Sequence, residues 1–275
     1  MKITRKKLIT QEIVNIKHFT KKDILNLLTT KKNDEQKRIE LSYEVLSHKN
    51  SEAIHSTEKI IKISNYCCAN CSFCRYKCGN KTIKRFRLNR EEIINEVLKL
   101  YNSGCKSVML HSGYDTFYNS DRIAYIIYSI KNRSDIKITL SLGLRELSEY
   151  KSWKIAGADS YLLNFVSSNK KIYEETNSLG SFNQRILHIT ELKKLGFTVG
   201  SGSILGLPNQ TVEDIAEDIL YLKQLPIDYV NYCNHFQKLI ENIMEVKLND
   251  NIIERAIHVT QIVYPDLCVR VSNLT

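Results

Sequence analysis

From residue 60 onward two rhythms of apolar positions alternate along the chain. Short runs rich in Val, Ile, Leu and Tyr, at residues 60–64, 107–110, 137–142, 160–163, 198–203, 229–232 and 268–271, read as strands. Between them apolar residues return every three to four positions, at 90–101, 121–131, 147–155, 182–195, 212–225 and 252–264, which reads as amphipathic helix. Asn89 and Thr211 stand where N-caps belong, with Glu91 and Glu92 in the first turn after Asn89. Gly104, Gly157 and Gly196 close helices. Seven strands alternating with helices predict βαβ units and a parallel α/β sheet. Candidate reactive residues fall just past strand C-termini, which favours a barrel over a doubly wound sheet.

Residues 1–57 precede this alternation as a helical lead-in, and residues 58–275 form one domain. Stretches 21–29 and 34–46 have helical periodicity, and Ile24, Leu25, Leu28, Ile39, Leu41 and Val45 are expected to pack on the barrel, at its bottom. With three Pro and ten Gly in 275 residues, no linker divides the chain. An apolar content of 43% supports one sizeable core. The formal net charge of +10 is assigned to Lys-rich helix faces and to the first forty residues. It is read as solvated surface, which disfavours a nucleic-acid partner. The basic N-terminus lacks the apolar core of a signal peptide, and no run approaches the roughly 20 apolar residues of a membrane helix. A reducing cytoplasm is expected, which argues against a disulfide framework.

Chemistry concentrates in IIKISNYCCANCSFCRYKCGN, residues 60–80, which holds five of the eight cysteines. Asn65 breaks the first strand, so Cys67, Cys71 and Cys74 lie on a loop at its C-terminal end in the spacing CxxxCxxC. Three thiolates so spaced can each take one iron of a cubane cluster and leave the fourth iron open to a small molecule. The alternative is a zinc knuckle that adds Cys78. Zinc sites usually pair two ligand halves across a longer spacer than this run contains. Cys68 and Cys78 are read as spectators.

This spacing after a strand, with Phe73 before the last cysteine, resembles the radical S-adenosylmethionine (radical SAM) enzymes. SNYCCANCSFC followed by IKRFRLNREEI is similar to the subgroup that contains the iron-only hydrogenase maturase, methylornithine synthase and biotin synthase. The resemblance covers residues 60–265. It implies a partial (β/α) barrel of radical SAM type with about six to seven parallel strands, and a 4Fe–4S cluster held by Cys67, Cys71 and Cys74. It also implies SAM chelated to the open iron and cleaved by one electron to methionine and a 5′-deoxyadenosyl radical.

The resemblance also implies SAM contacts. Phe73 would back the adenine. Ser112 and Gly113, in His111-Ser112-Gly113-Tyr114-Asp115, allow close backbone approach to a ligand. Tyr114 stands where relatives have an acidic residue, so only backbone contacts carry over. Ser141 would reach the ribose, with Leu144 in place of an acidic residue. Asn164, Phe165 and Val166 replace an Arg-His-Glu pattern, which points to a different and less charged substrate. Arg185 matches an Arg that opens a helix and suits the SAM carboxylate; by position alone, a surface Arg fits equally. Gly206 and Leu207, in GSILGLPNQT, would lie against the adenine, with Pro208 stiffening the turn. Cys233, Asn234 and His235 follow a strand and either face the cavity or pack.

The expected function is reductive cleavage of SAM and hydrogen abstraction from a small organic or amino-acid-like substrate, with flavodoxin or ferredoxin as electron donor. Two alternatives stand beside it. One is a degenerate homologue that binds or assembles without turnover, favoured by the changes at Tyr114, Leu144 and residues 164–166. The other is a zinc-stabilised nucleic-acid-binding module, favoured only by charge and cysteine count.

Overall fold

In the computed structural model, which describes residues 19–29, 58–234 and 252–272, the strands are β1 (Lys59–Lys62), β2 (Ser107–His111), β3 (Lys137–Ser141), β4 (Ser160–Leu162), β5 (Thr198–Ser201), β6 (Ile204–Leu205), β7 (Tyr229–Asn234) and β8 (Cys268–Ser272). All pairings are parallel, and neighbours follow chain order. β5 and β6 both pair with β7 and form one strand broken at Gly202–Ser203, so seven strand positions result, as the apolar pattern predicts. Among the described residues β1 and β8 each have a single neighbour. The sheet is therefore an open arc, a partial barrel.

The helices are α1 (Lys21–Thr29), α2 (Arg90–Asn102), α3 (Ser120–Lys131), α4 (Leu147–Ile155), α5 (Lys170–Thr176), α6 (Phe182–Lys194), α7 (Val212–Tyr221) and α8 (Ile252–Val263). Asn89 caps α2 in a reciprocal pair with Glu92, and Thr211 caps α7 with Asp214. The helix predicted to reach residue 225 instead tightens to a 3₁₀ turn at Leu222–Gln224 and stops with Leu225 extended. Leu225 precedes Pro226, whose ring disfavours helix there. The apolar pattern missed α5: it has seven residues, and only Ile172, Tyr173 and Thr176 are buried.

The core lies between the arc and its helices, with Ile93, Ile94, Val97, Ile123, Ile126, Ile127 and Ile130 facing Val108, Leu110, Ile138 and Leu140. A second, small cluster of Met109, Leu162 and Tyr229 packs separately from it. A Cβ at Gly200 would collide with the Tyr229 ring, so only glycine on β5 leaves room for that ring. α1 packs against α7 and α8 rather than under the sheet. Ile24 and Leu28, one turn apart, are fully buried there, Lys21 pairs with Glu217, and Arg255 donates to Leu28 O. A nine-residue helix is marginal alone, so this packing is what forms it. The predicted helix at 34–46 lies outside the described residues, as does His235.

Candidate active site

The cysteine loop leaves the sheet after Ile63, whose N–H still donates to His111 O, and returns by a short antiparallel bridge between Ser64 and Arg87. Without regular structure, its carbonyls need other donors. Arg85 supplies them, donating to the carbonyls of Tyr76 at 3.0 Å, Lys77 at 2.8 Å and Asn80 at 3.0 Å, and to that of Asn65. Asn65 staples the two stems through Lys84 O and Phe86 N–H, both at 2.8 Å. Arg87 makes a two-pronged contact with buried Asp115, which also accepts from Ser64 Oγ at 2.6 Å and so ties the loop to the β2–α3 connection. Burial opposes ionisation of Asp115, but Arg87 and Ser64 outweigh it and hold the carboxyl below its usual range.

At the top of the arc lies a cavity of about 180 Å³. Cys67, Cys71 and Cys74 line it together with Phe73, Ser112, Gly113, Tyr114, Ser141 and Arg185. Gly113 serves the loop itself: a Cβ there would lie 2.7 Å from Cys67 Cβ and 3.0 Å from Tyr66 O. Ser141 Oγ stands 3.2 Å from His111 Nδ1. Asn164 and Val166 line the cavity while Phe165 turns away against Tyr221. Val166 has φ of 81°, a left-handed conformation rare for a β-branched residue. Cys233 lines the cavity; Leu144 is buried outside it.

Arg185 is not a surface residue. It is 7% exposed and donates to Tyr173 Oη at 2.8 Å, Asn164 O at 3.1 Å, Asn177 Oδ1 at 3.3 Å and Leu179 O at 3.4 Å. Every one of these acceptors is neutral. Asn177 Oδ1 also lies 3.4 Å from Cys71 Sγ, so this one amide joins the cysteine loop to the guanidinium. Sequence reasoning missed Asn177, Leu179 and Tyr76 as wall residues. The first two follow the unpredicted α5, and Asn169 at its cap is the signal that marks that helix.

Gly206 and Leu207 are not among the cavity-lining residues; Ile204 is. Their N–H groups donate to Gln210 Oε1 at 2.7 and 3.2 Å. Gln210 Nε2 in turn lies 3.4 Å from Asp218, which accepts from Ser168 N–H at 2.6 Å and Ser168 Oγ at 2.7 Å. Asp218 thus ties the turn after β6 to the loop after Val166. Burial raises its pKa to about 7 despite those donors.

The donor set suits a cluster. Burial raises the Cys67 thiol and pushes Cys74 up to about 12, so metal must displace protons to bind there. Backbone N–H groups of Ala69 and Ser178 point at the sulfurs of Cys67 and Cys71, each at 3.4 Å, contacts of the kind that tune iron–sulfur sites. Among the described residues no three His, Cys, Asp or Glu side chains converge on a single-ion position. Three irons of a cluster, one per thiolate, need no such convergence.

A family model for the radical SAM superfamily matches residues 61–222. The chain belongs to that superfamily. The [FeFe] hydrogenase maturase subunit HydE of Thermotoga maritima is 35% identical over 210 residues, 75% of this chain and 60% of HydE. A biotin synthase of Methanococcus vannielii is 26% identical over 92% of this chain and 78% of its own length. The crystal structure of the methylornithine synthase PylB superposes with a TM-score of 0.82 at 22% identity, covering 95% of this chain and 78% of PylB, and shows the same partial-barrel fold. The chain spans about three-fifths of the length of HydE. Membership in the radical SAM superfamily implies use of a 4Fe–4S cluster and SAM. No helix among the described residues is long and apolar enough to cross a membrane.

Proposed function

We propose that this chain is a radical SAM enzyme of cofactor or metabolite biosynthesis acting on a small organic substrate of low charge. Cys67, Cys71 and Cys74 hold the cluster. Phe73, Ser112, Gly113, Ser141 and Arg185 line the SAM side, while Gly206 and Leu207 support it through the turn that Gln210 holds. When bound, cluster and SAM supply a one-electron cleavage that yields methionine and a 5′-deoxyadenosyl radical able to abstract hydrogen. One observation carries this reading: a buried guanidinium with only neutral acceptors among the described residues lines the same cavity as the three cysteines and is linked to Cys71 through Asn177. A buried cation without an anion is costly, and a ligand carboxylate is the partner that removes the cost.

The remaining walls set the substrate. Leu162, Leu163, Val166, Ile204 and Cys233 are apolar, and among the described residues no Lys, Asp or Glu lines the cavity. A charged substrate would lose hydration there with no ion to replace it. The reaction class is fragmentation, rearrangement or sulfur insertion, and the compartment is a reducing cytoplasm. Neutral side chains at Tyr114, Leu144 and residues 164–166 favour a second reading, a homologue that binds or assembles without turnover. Cluster-loaded protein given SAM and a reductant separates the two. Formation of 5′-deoxyadenosine and methionine is expected; full SAM binding with neither product would establish the second reading.

A further inference from the structure

Residues 59–90 contain nine Lys and Arg and no Asp or Glu, while residues 91–275 contain nineteen basic and twenty-two acidic residues. The basic excess is concentrated on the cysteine loop and its stems rather than spread over the helices. The fold then adds aromatic rings from the β2–α3 connection. The Arg87 guanidinium lies 3.8 Å from the Tyr66 ring centre and 5.0 Å from that of Phe117, and Arg122 lies 3.8 Å from Phe117. Tyr66, Phe86 and Phe117 are 36–40% exposed, and Tyr66 and Phe117 share the Arg87 guanidinium, so these two rings form one patch rather than scattered single groups. Lys81, Lys84 and Arg90 are exposed nearby in sequence, and Lys84 O is bonded to Asn65 beside Tyr66. The acidic groups adjoining this surface are Asp115, buried against Arg87, and the exposed Glu91, Glu92 and Asp121 at the starts of α2 and α3. The patch borders the cysteine loop directly: Tyr66 precedes Cys67, and Cys68 N–H donates to Tyr114 O at 2.8 Å.

We propose that Tyr66, Phe117 and Arg87, rimmed by Lys84 and Arg90, form the docking face for a small acidic protein that carries one electron at a time. This rests on reading Cys67, Cys71 and Cys74 as the cluster site. Aromatic and Arg groups make the anchors of such an interface, and the basic excess of residues 59–90, larger than the adjoining acidic groups offset, steers an acidic partner toward it. Docking here sets the carrier's redox group against the back of the cysteine loop. One electron leaves the carrier, oxidising it by one unit, and enters the cluster; no atom is transferred. A nucleic acid fits less well, because guanidinium groups already cover a face of the Tyr66 and Phe117 rings on which bases would stack.

The test titrates an acidic flavodoxin into cluster-loaded protein by calorimetry, for wild type, Lys84→Glu and Phe117→Ala. Affinity should fall as salt rises and drop roughly tenfold in each variant. Melting temperature and SAM cleavage driven by a chemical reductant should not change. Charge reversal of one acidic residue beside the flavin should restore binding to Lys84→Glu. Unchanged affinity in both variants overturns the proposal, as does a short single-stranded RNA that binds this face when the flavodoxin does not. Iron and sulfide content of the same samples tests the cluster reading separately, so fully loaded protein that ignores the carrier overturns the docking face alone.

Discussion

The two sides of the cavity are built on opposite principles. The cysteine loop is irregular, basic and partly exposed, and side-chain bonds from Arg85, Asn65 and Arg87 shape it. The facing wall, with Asn164, Val166 and Arg185, is largely buried and mostly neutral, backed by Asp218 and strained at Val166. On the loop, the proposed chemistry resides in residue type, because Cys thiolates are the usual ligands of such a cluster. On the wall it resides in position: an Asn, a Val and an Arg that are ordinary elsewhere become specific where the backbone puts them. The wall is therefore the side on which relatives can differ in substrate while the loop keeps its chemistry.

Substitution of one cysteine should separate the two sides most sharply. Cys71→Ala should take iron after anaerobic reconstitution from about four per chain to near zero, whereas Cys68→Ala should keep it. Iron and sulfide assays decide, and equal loss in both would erase the special status of the motif. Next in size, Arg185→Ala should weaken SAM binding by about 1.5–3 kcal/mol, the range for a lost charge-assisted hydrogen bond. That is roughly a ten- to hundredfold rise in Kd by calorimetry on cluster-loaded protein. An unchanged Kd would make Arg185 a brace of the wall and nothing more.

A third effect concerns pH. Asp218 has a folded pKa of about 7, raised first by burial, against an unfolded value of about 4. Between these values the native state holds the proton that the unfolded state has released. The group therefore costs no stability below pH of about 4, and stability falls as pH rises toward 7. Asp218→Asn should remove that decline, read as the difference between variant and wild type in denaturant unfolding from pH 5 to 8. A parallel pair of curves would show the carboxyl to be ionised throughout. The smallest effect belongs to Val166. Losing a buried Val side chain costs about 1.5–3 kcal/mol, and releasing its left-handed backbone returns about 1–3 kcal/mol. Val166→Gly should thus stay within about 1 kcal/mol of wild type, unlike an unstrained buried Val such as Val199. A loss of the same size at both positions would mean the strain is not stored at Val166.

Much of this was present in the linear pattern. Period-two and period-3.6 apolar spacing located all seven strand positions, because each is a short buried run between polar helices whose faces the core must cover. CxxxCxxC marked the loop proposed to hold the cluster, because ligand chemistry is local and three cysteines at that spacing have few other uses. The caps at Asn89 and Thr211 are legible for the same reason: their partners lie three residues away. What only the tertiary structure decided involves distant pairs. Asn177 meets Cys71 across 106 positions, and Gly113 makes room for Cys67 rather than only for a ligand. Gln210 occupies the amides of Gly206 and Leu207, and α1 docks on the outer helices instead of the barrel floor. No local propensity encodes such contacts. They follow from which strand ends the closing arc brings within a few ångströms of one another, and that depends on the whole sheet.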